Sequence, residues 1–100
     1  MNITLIGMPG TGKSYVGEKL ANTLMYKLIE TDALLEAFFG KDIFLALDTV
    51  SEDYFLKEQE NVVLISTNTP ESFIVSPGGS IIYSEKAMLH LKKVSKNYLS

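Results

Sequence analysis

The 100 residues of this chain include no cysteine, no arginine and a single histidine. Without cysteine there can be no disulfide, no thiolate nucleophile and no zinc–cysteine centre. Without arginine the chain has no planar fork with which to grip a carboxylate or a transferring phosphoryl group. All nine basic residues are lysines, which offer a point charge and not bidentate geometry. Chemistry that needs a guanidinium must therefore take it from another chain or proceed without one. The net charge is small and negative, −3 at pH 7, so neither nucleic acid nor an anionic membrane surface is an expected partner. No apolar run approaches the roughly 18 residues of a membrane span. Met1-Asn2 leads straight into an apolar segment, leaving no room for a secretory leader, so cytoplasm is the expected compartment. A hydrophobic content of 46% is that of an ordinary globule, and residues 1–100 read as one domain.

What the chain does carry is concentrated near its start. Gly7-Met8-Pro9-Gly10-Thr11-Gly12-Lys13-Ser14 satisfies the P-loop pattern G-x-x-x-x-G-K-[ST]. Ile3-Thr4-Leu5-Ile6 before it is β-branched and apolar, as a buried parallel strand requires. Val16, Leu20 and Leu24 after it recur at helical spacing. Strand, glycine loop and helix in that order make a phosphate cradle. Glycines let successive N–H groups turn toward one anion, and the helix N-terminus adds its positive end. Lys13 then reaches the β/γ-phosphates and the Ser14 hydroxyl can hold Mg²⁺.

Further along, strand and helix patterns alternate. A first helix is expected over about Lys13 to Met25, and Lys27-Leu28-Ile29-Glu30 reads as a second strand. Thr31 or Asp32 should cap a helix over 33–39 that Gly40 stops, and residues 42–47 read as another short helix. Ser51-Glu52-Asp53 is a helix start, with Phe55, Gln59, Val62 and Val63 continuing one face. Asn68-Thr69-Pro70 reads as a turn and Phe73-Ile74-Val75-Ser76 as a third strand. The loop Pro77-Gly78-Gly79-Ser80 follows, then a Ser84-capped helix over Glu85 to about Val94, and Lys96–Leu99 as the start of a fourth strand. Strands alternating with helices predict a three-layer α/β/α fold with a parallel sheet.

The order P-loop, Glu30-Thr31-Asp32, Tyr54-Phe55-Leu56-Lys57-Glu58-Gln59-Glu60 and Pro77-Gly78-Gly79-Ser80 resembles the shikimate kinase family of P-loop small-molecule kinases, over the N-terminal part of a typical member. The resemblance implies an ATP- and Mg²⁺-dependent transfer of a phosphoryl group to a hydroxyl of a small metabolite. Met8, Pro9, Gly10, Thr11, Gly12, Lys13, Ser14 and Tyr15 would hold ATP, with Ser14 and Glu30 on the magnesium side. Lys13 and Asp32 would be catalytic. Asp32, Gly78 and Gly79 would bind the acceptor, the glycines through backbone N–H groups. The residues themselves agree in part, because Asp32 lies just past the C-terminal end of a strand, where open parallel sheets bind ligands. A plain helix cap for Asp32 and a plain turn for Gly78-Gly79 are the alternatives.

Three positions depart from the family pattern. Leu56 stands where the family has the arginine that pairs with the substrate carboxylate. Pro77 replaces the first of three glycines, fixing φ and deleting an N–H donor. Glu30 replaces an aspartate. The chain ends before the segments that in the family supply the lid arginine, the last two strands and the adenine-binding loop, so the fold is expected to be truncated on its C-terminal side. A non-catalytic nucleotide-binding module is the competing functional class; a nucleoside-monophosphate kinase is weaker, since such enzymes grip the acceptor phosphate with arginines. Residues 96–99 must cover the open flank of the first strand, or a second copy must do so in a homodimer, or the domain is marginally stable.

Overall fold

Short strands buried along their whole length, with helical periodicity between them, arrange the chain in layers. A computed structural model describes residues 2–6 and 11–99, with the side chains of residues 2–6 and 15–96. The elements are β1 (Ile3–Ile6), α1 (Thr11–Leu24), β2 (Lys27–Glu30), α2 (Thr31–Phe39), α3 (Ile43–Thr49), α4 (Glu52–Ser66), β3 (Phe73–Ser76), a 3₁₀ helix (Gly79–Tyr83), α5 (Glu85–Val94) and β4 (Lys96–Leu99). The strands form one parallel sheet in the order β2-β3-β1-β4, with Glu30 opposite Ser76, Ile3 opposite Ile74 and Ile6 opposite Leu99. Every residue of β1 and β3 is buried, as expected of inner strands covered on both faces.

The two faces of the sheet carry separate cores. Ile3, Leu5 and Ile74 pack with Ala21 under α1, where Gly17 brings the helix close: a Cβ at Gly17 would stand 3.2 Å from Leu28 Cδ1. Ile29, Phe73 and Val75 point the other way and pack with Val63 of α4 and with Ala87 and Leu91 of α5. A third core of Leu35, Ala46 and Phe55 joins α2, α3 and α4. Phe39 stacks on Phe55 at 5.8 Å and meets Tyr54 edge-on, so the aromatics of α2 and α4 are packing residues. Gly40 stops α2 as expected, in the left-handed region at φ 70°. Ser51 and Ser84 cap α4 and α5, each accepting a hydrogen bond from the backbone N–H three residues on.

Two local expectations are revised, and one of the alternatives left open for the first strand's flank is met. Helix α2 begins at Thr31, and its N-cap is Glu30, which makes no side-chain capping bond. Asp32 therefore sits inside the first turn and is not the cap. Part of the expected glycine loop, and the residues after it, wind into the 3₁₀ helix, closed by Ile81 N–H to Gly78 C=O at 3.0 Å. Finally, β4 covers the open flank of β1. Lys96 N–H donates to Asn2 C=O, and the Ser95 hydroxyl bonds Thr4 Oγ1 at 2.6 Å. Asn2 fastens the same corner, donating to Val94 C=O and accepting from Phe73 N–H. The edge on which the homodimer was reasoned is occupied by the chain's own β4.

Candidate active site

Parallel strands deliver their following segments to one edge of the sheet. β1 leads through residues 7–10 to the N-terminus of α1, β2 runs directly into Thr31-Asp32, and β3 leads into Pro77-Gly78-Gly79. Three connections distant in sequence thus meet at the C-terminal edge.

A cavity of about 450 Å³ opens there, bounded by Asp32 of α2, by Ile43, Phe44 and Leu47 of α3, by Glu52, Phe55, Leu56 and Gln59 of α4, and by Gly78, Gly79 and Ser80. Glu52, Phe55, Leu56 and Gln59 fall at i, i+3, i+4 and i+7, so one stripe of α4 faces it. Its floor is tightly built. A Cβ on Gly78 would stand 2.6 Å from both Asp32 Oδ1 and Gln59 Nε2, so a side chain there would have to push both aside. Gly78 N–H donates to the hydroxyl of buried Thr31 at 3.3 Å, and Ser80 Oγ donates to Gln59 Oε1 at 2.8 Å. These contacts tie the segment after β3 to α2 and α4. At Gly79 an added Cβ would meet nothing within 4 Å, so the cavity side there is open.

Asp32, Gly78 and Gly79, expected together from sequence, are together. The expectation that both glycines offer N–H groups outward is corrected for Gly78, whose N–H is committed to Thr31. Gly79 opens the 3₁₀ helix, where a first-turn N–H has no intrahelical acceptor. Glu30 is not part of this cavity. It lines a separate groove of about 570 Å³ with Lys27, Ala33, Leu34, Val62 and Ile65, because the last strand residue and the first helical turn project to different sides. Leu56, where an arginine was expected, lies on the cavity wall, and Pro77 is fully buried.

On the phosphate side, Met8, Pro9 and Gly10 lie outside the described residues. Thr11, Gly12, Lys13 and Ser14 are described as the backbone of the first turn of α1. That helix start, directly behind the C-terminal end of a buried strand and held to the sheet at Gly17, is a setting in which backbone N–H groups receive phosphate oxygens. Tyr15 is exposed, and Lys19 Nζ lies 6.0 Å from its ring centroid. A hydroxyl and a carboxylate are oxygen donors of the kind magnesium takes, but the Ser14 side chain lies outside the described ones and Glu30 lines the separate groove. The described residues contain no group of three or more acidic, histidine or cysteine side chains able to hold a metal by themselves.

Three polar residues lining the cavity, Glu52, Gln59 and Ser80, have no functional assignment from sequence, and neither has Thr31, buried beneath Gly78. Gln59 had a usable signal. It is a polar residue on the apolar stripe of α4 and is 2% exposed, and a buried amide must find partners. His90, by contrast, is structural: its Nε2 bonds Thr67 Oγ1 at 2.8 Å.

A family model described as shikimate kinase matches residues 9–99. A shikimate kinase of Clostridium botulinum strain 657 is 38% identical over 93 residues, covering 93% of this chain and 54% of its own length. A solved structure of shikimate kinase from Acinetobacter baumannii in complex with shikimate superposes with a TM-score of 0.90 at 26% identity, over 98% of this chain and 54% of that one. Shikimate kinase from Aquifex aeolicus gives 0.86 at 26% identity, over 99% and 62%. The chain spans about half the length of the curated relatives it matches.

Proposed function

The chain belongs to the shikimate kinase family, and we propose that it serves an ATP- and magnesium-dependent kinase that phosphorylates a hydroxyl of a small metabolite held beside Asp32. The observation that carries this is the meeting of Asp32, Gly78 and Gly79 around one cavity, on the sheet edge that also presents the N-terminus of α1. Bound with magnesium, ATP would supply the phosphoryl group; Gly10, Gly12, Lys13 and Ser14 would hold its phosphates, with Ser14 on the metal and Glu30 reaching it through water.

Asp32 accepts the proton of the attacking hydroxyl and aligns its oxygen. The oxygen–phosphorus bond forms as the β–γ bridge breaks, ADP leaves, and the proton stays on the Asp32 carboxylate until solvent takes it. Positioning of this kind is most of what phosphoryl transfer asks of a protein. Gln59 and Ser80 bond each other on the cavity wall and present polar groups to further hydroxyls. Phe55 and Leu56 cover an apolar face of the acceptor and exclude water.

No helix among the described residues is long and apolar enough to cross a membrane, and we place the reaction in the cytoplasm, where ATP is supplied. Phosphorus NMR of the protein with magnesium–ATP and a panel of hydroxylated acceptors tests the reading. A phosphomonoester signal is expected, reduced about 10²- to 10⁴-fold in Asp32→Asn with nucleotide affinity unchanged. No phosphomonoester from any acceptor, or equal turnover by the variant, contradicts it. One observation favours a second reading, a module that binds nucleotide without turnover: the chain has no arginine to answer charge on a transferring phosphoryl group.

A further inference from the structure

We infer that Gln59 is a positioning residue for the Asp32 carboxylate: its amide nitrogen donates to Asp32 while its amide oxygen holds Ser80, so one side chain of α4 orients the acid of α2 and ties it to the segment after β3. The inference rests on the kinase reading for the use made of Asp32, and on the geometry of the cavity floor for the contact itself. Gln59 closes the stripe that α4 turns to the cavity and is 2% exposed. A primary amide that deep needs a donor for its oxygen and an acceptor for its nitrogen. The oxygen accepts from Ser80 Oγ at 2.8 Å. Among the described residues, no buried side-chain nitrogen or oxygen lacks a partner.

Gly78 locates the acceptor for the nitrogen. The point at which a Cβ on residue 78 would stand is 2.6 Å from Gln59 Nε2 and 2.6 Å from Asp32 Oδ1. Two atoms flanking one such point are within reach of an N–H···O bond of about 2.9 Å. The chemistry of the three groups fixes the direction. An ionised carboxylate only accepts, so it faces the nitrogen; a hydroxyl can donate, so Ser80 takes the oxygen. Turned over, the amide would set its oxygen against the carboxylate and lose the bond. A donor to a charged acceptor makes a stronger bond than a neutral pair. It holds one oxygen of Asp32 and leaves the other for the proton of the attacking hydroxyl, where misplacement by about 1 Å can cost on the order of 10²-fold in rate. Further contacts of the carboxylate are compatible with this, since its two oxygens accept several hydrogen bonds.

Exchanging the polar ends of the pair tests the contact. Gln59→Glu keeps the size of the side chain and an oxygen for Ser80, but sets a second carboxylate against Asp32. In denaturant unfolding at pH 8 it is expected to lower the folded-to-unfolded ratio at least about tenfold. Adding Asp32→Asn, which returns an N–H donor to the pair, is expected to recover most of that loss. Losses that simply add, or two variants that both fail to fold, overturn the inference; if Gln59→Glu alone fails to fold, a folded double variant upholds it. Positioning, as distinct from packing, is read in turnover. With magnesium–ATP and an acceptor that is phosphorylated, Gln59→Met loses the donor without adding a charge and should lower kcat about 10- to 100-fold, with the parent's nucleotide affinity by calorimetry. Unchanged kcat contradicts the positioning role. Coupling between the two residues in a protein that forms no phosphomonoester with any acceptor would sink the kinase reading and leave the Gln59–Asp32 pair standing.

Discussion

The two sides of the proposed site are built differently. The nucleotide side comes from one continuous run, a strand, a glycine-rich segment and the first turn of a helix. The acceptor side is assembled from α2, α3, α4 and the segment after β3, held by the Phe39–Phe55 stack and by the Thr31–Gly78 and Gln59–Ser80 hydrogen bonds. A local device tolerates change elsewhere in the molecule. An assembled cavity depends on packing several residues removed from it, and its chemistry can drift by one side chain while the frame stays.

Substitutions that strike one side and spare the other test this contrast. Phe55→Ala should have the largest effect, because the ring is buried between α2 and α4 and also lines the cavity. A loss of about 3–5 kcal/mol is expected in denaturant unfolding. If unfolding is unaffected, the acceptor side does not rest on that core.

Lys13→Ala should weaken magnesium–ATP binding by about 1.5–3 kcal/mol, the scale of a charged hydrogen bond, while stability and acceptor binding stay close to those of the parent. Calorimetry showing equal nucleotide affinity would remove the nucleotide side altogether. The two neighbouring glycines should then separate. Gly78→Ala pushes a methyl group against Asp32 and Gln59 and is expected to cost about 1–3 kcal/mol by overpacking, with acceptor binding lost. Gly79→Ala faces open space and should stay within about 0.5 kcal/mol of the parent in stability. Equal effects at the two positions would mean that the tight floor is not what glycine serves here.

Most of the frame could be read along the chain. Glycine stops, serine caps and apolar periodicity are local signals, and they located the helices from α2 onward and the strands on either side of Gly78. The departures arose where distant segments decide. Glu30, not Thr31 or Asp32, caps α2 because the strand passes into the helix without a loop, and the Thr31 hydroxyl is occupied by Gly78 N–H. The 3₁₀ turn after Gly78 forms where Ser80 is drawn to Gln59 of α4, a partner 21 residues away. The convergence of Asp32 with Gly78 and Gly79 was legible through the family pattern. The parting of Glu30 from Asp32 was not, since it depends on which way the chain turns on leaving β2.

The most direct test of a two-sided site is an amide chemical-shift map of the protein titrated separately with magnesium–ATP and with the panel of hydroxylated acceptors. Nucleotide should move the amides of Thr11 to Tyr15. The acceptor that binds should move those of Asp32, Leu56, Gly79 and Ser80, and leave the separate groove around Leu34 and Ile65 unchanged. Both ligands moving a single set of amides, or the acceptor moving the Leu34–Ile65 groove in place of the Asp32 cavity, would contradict it.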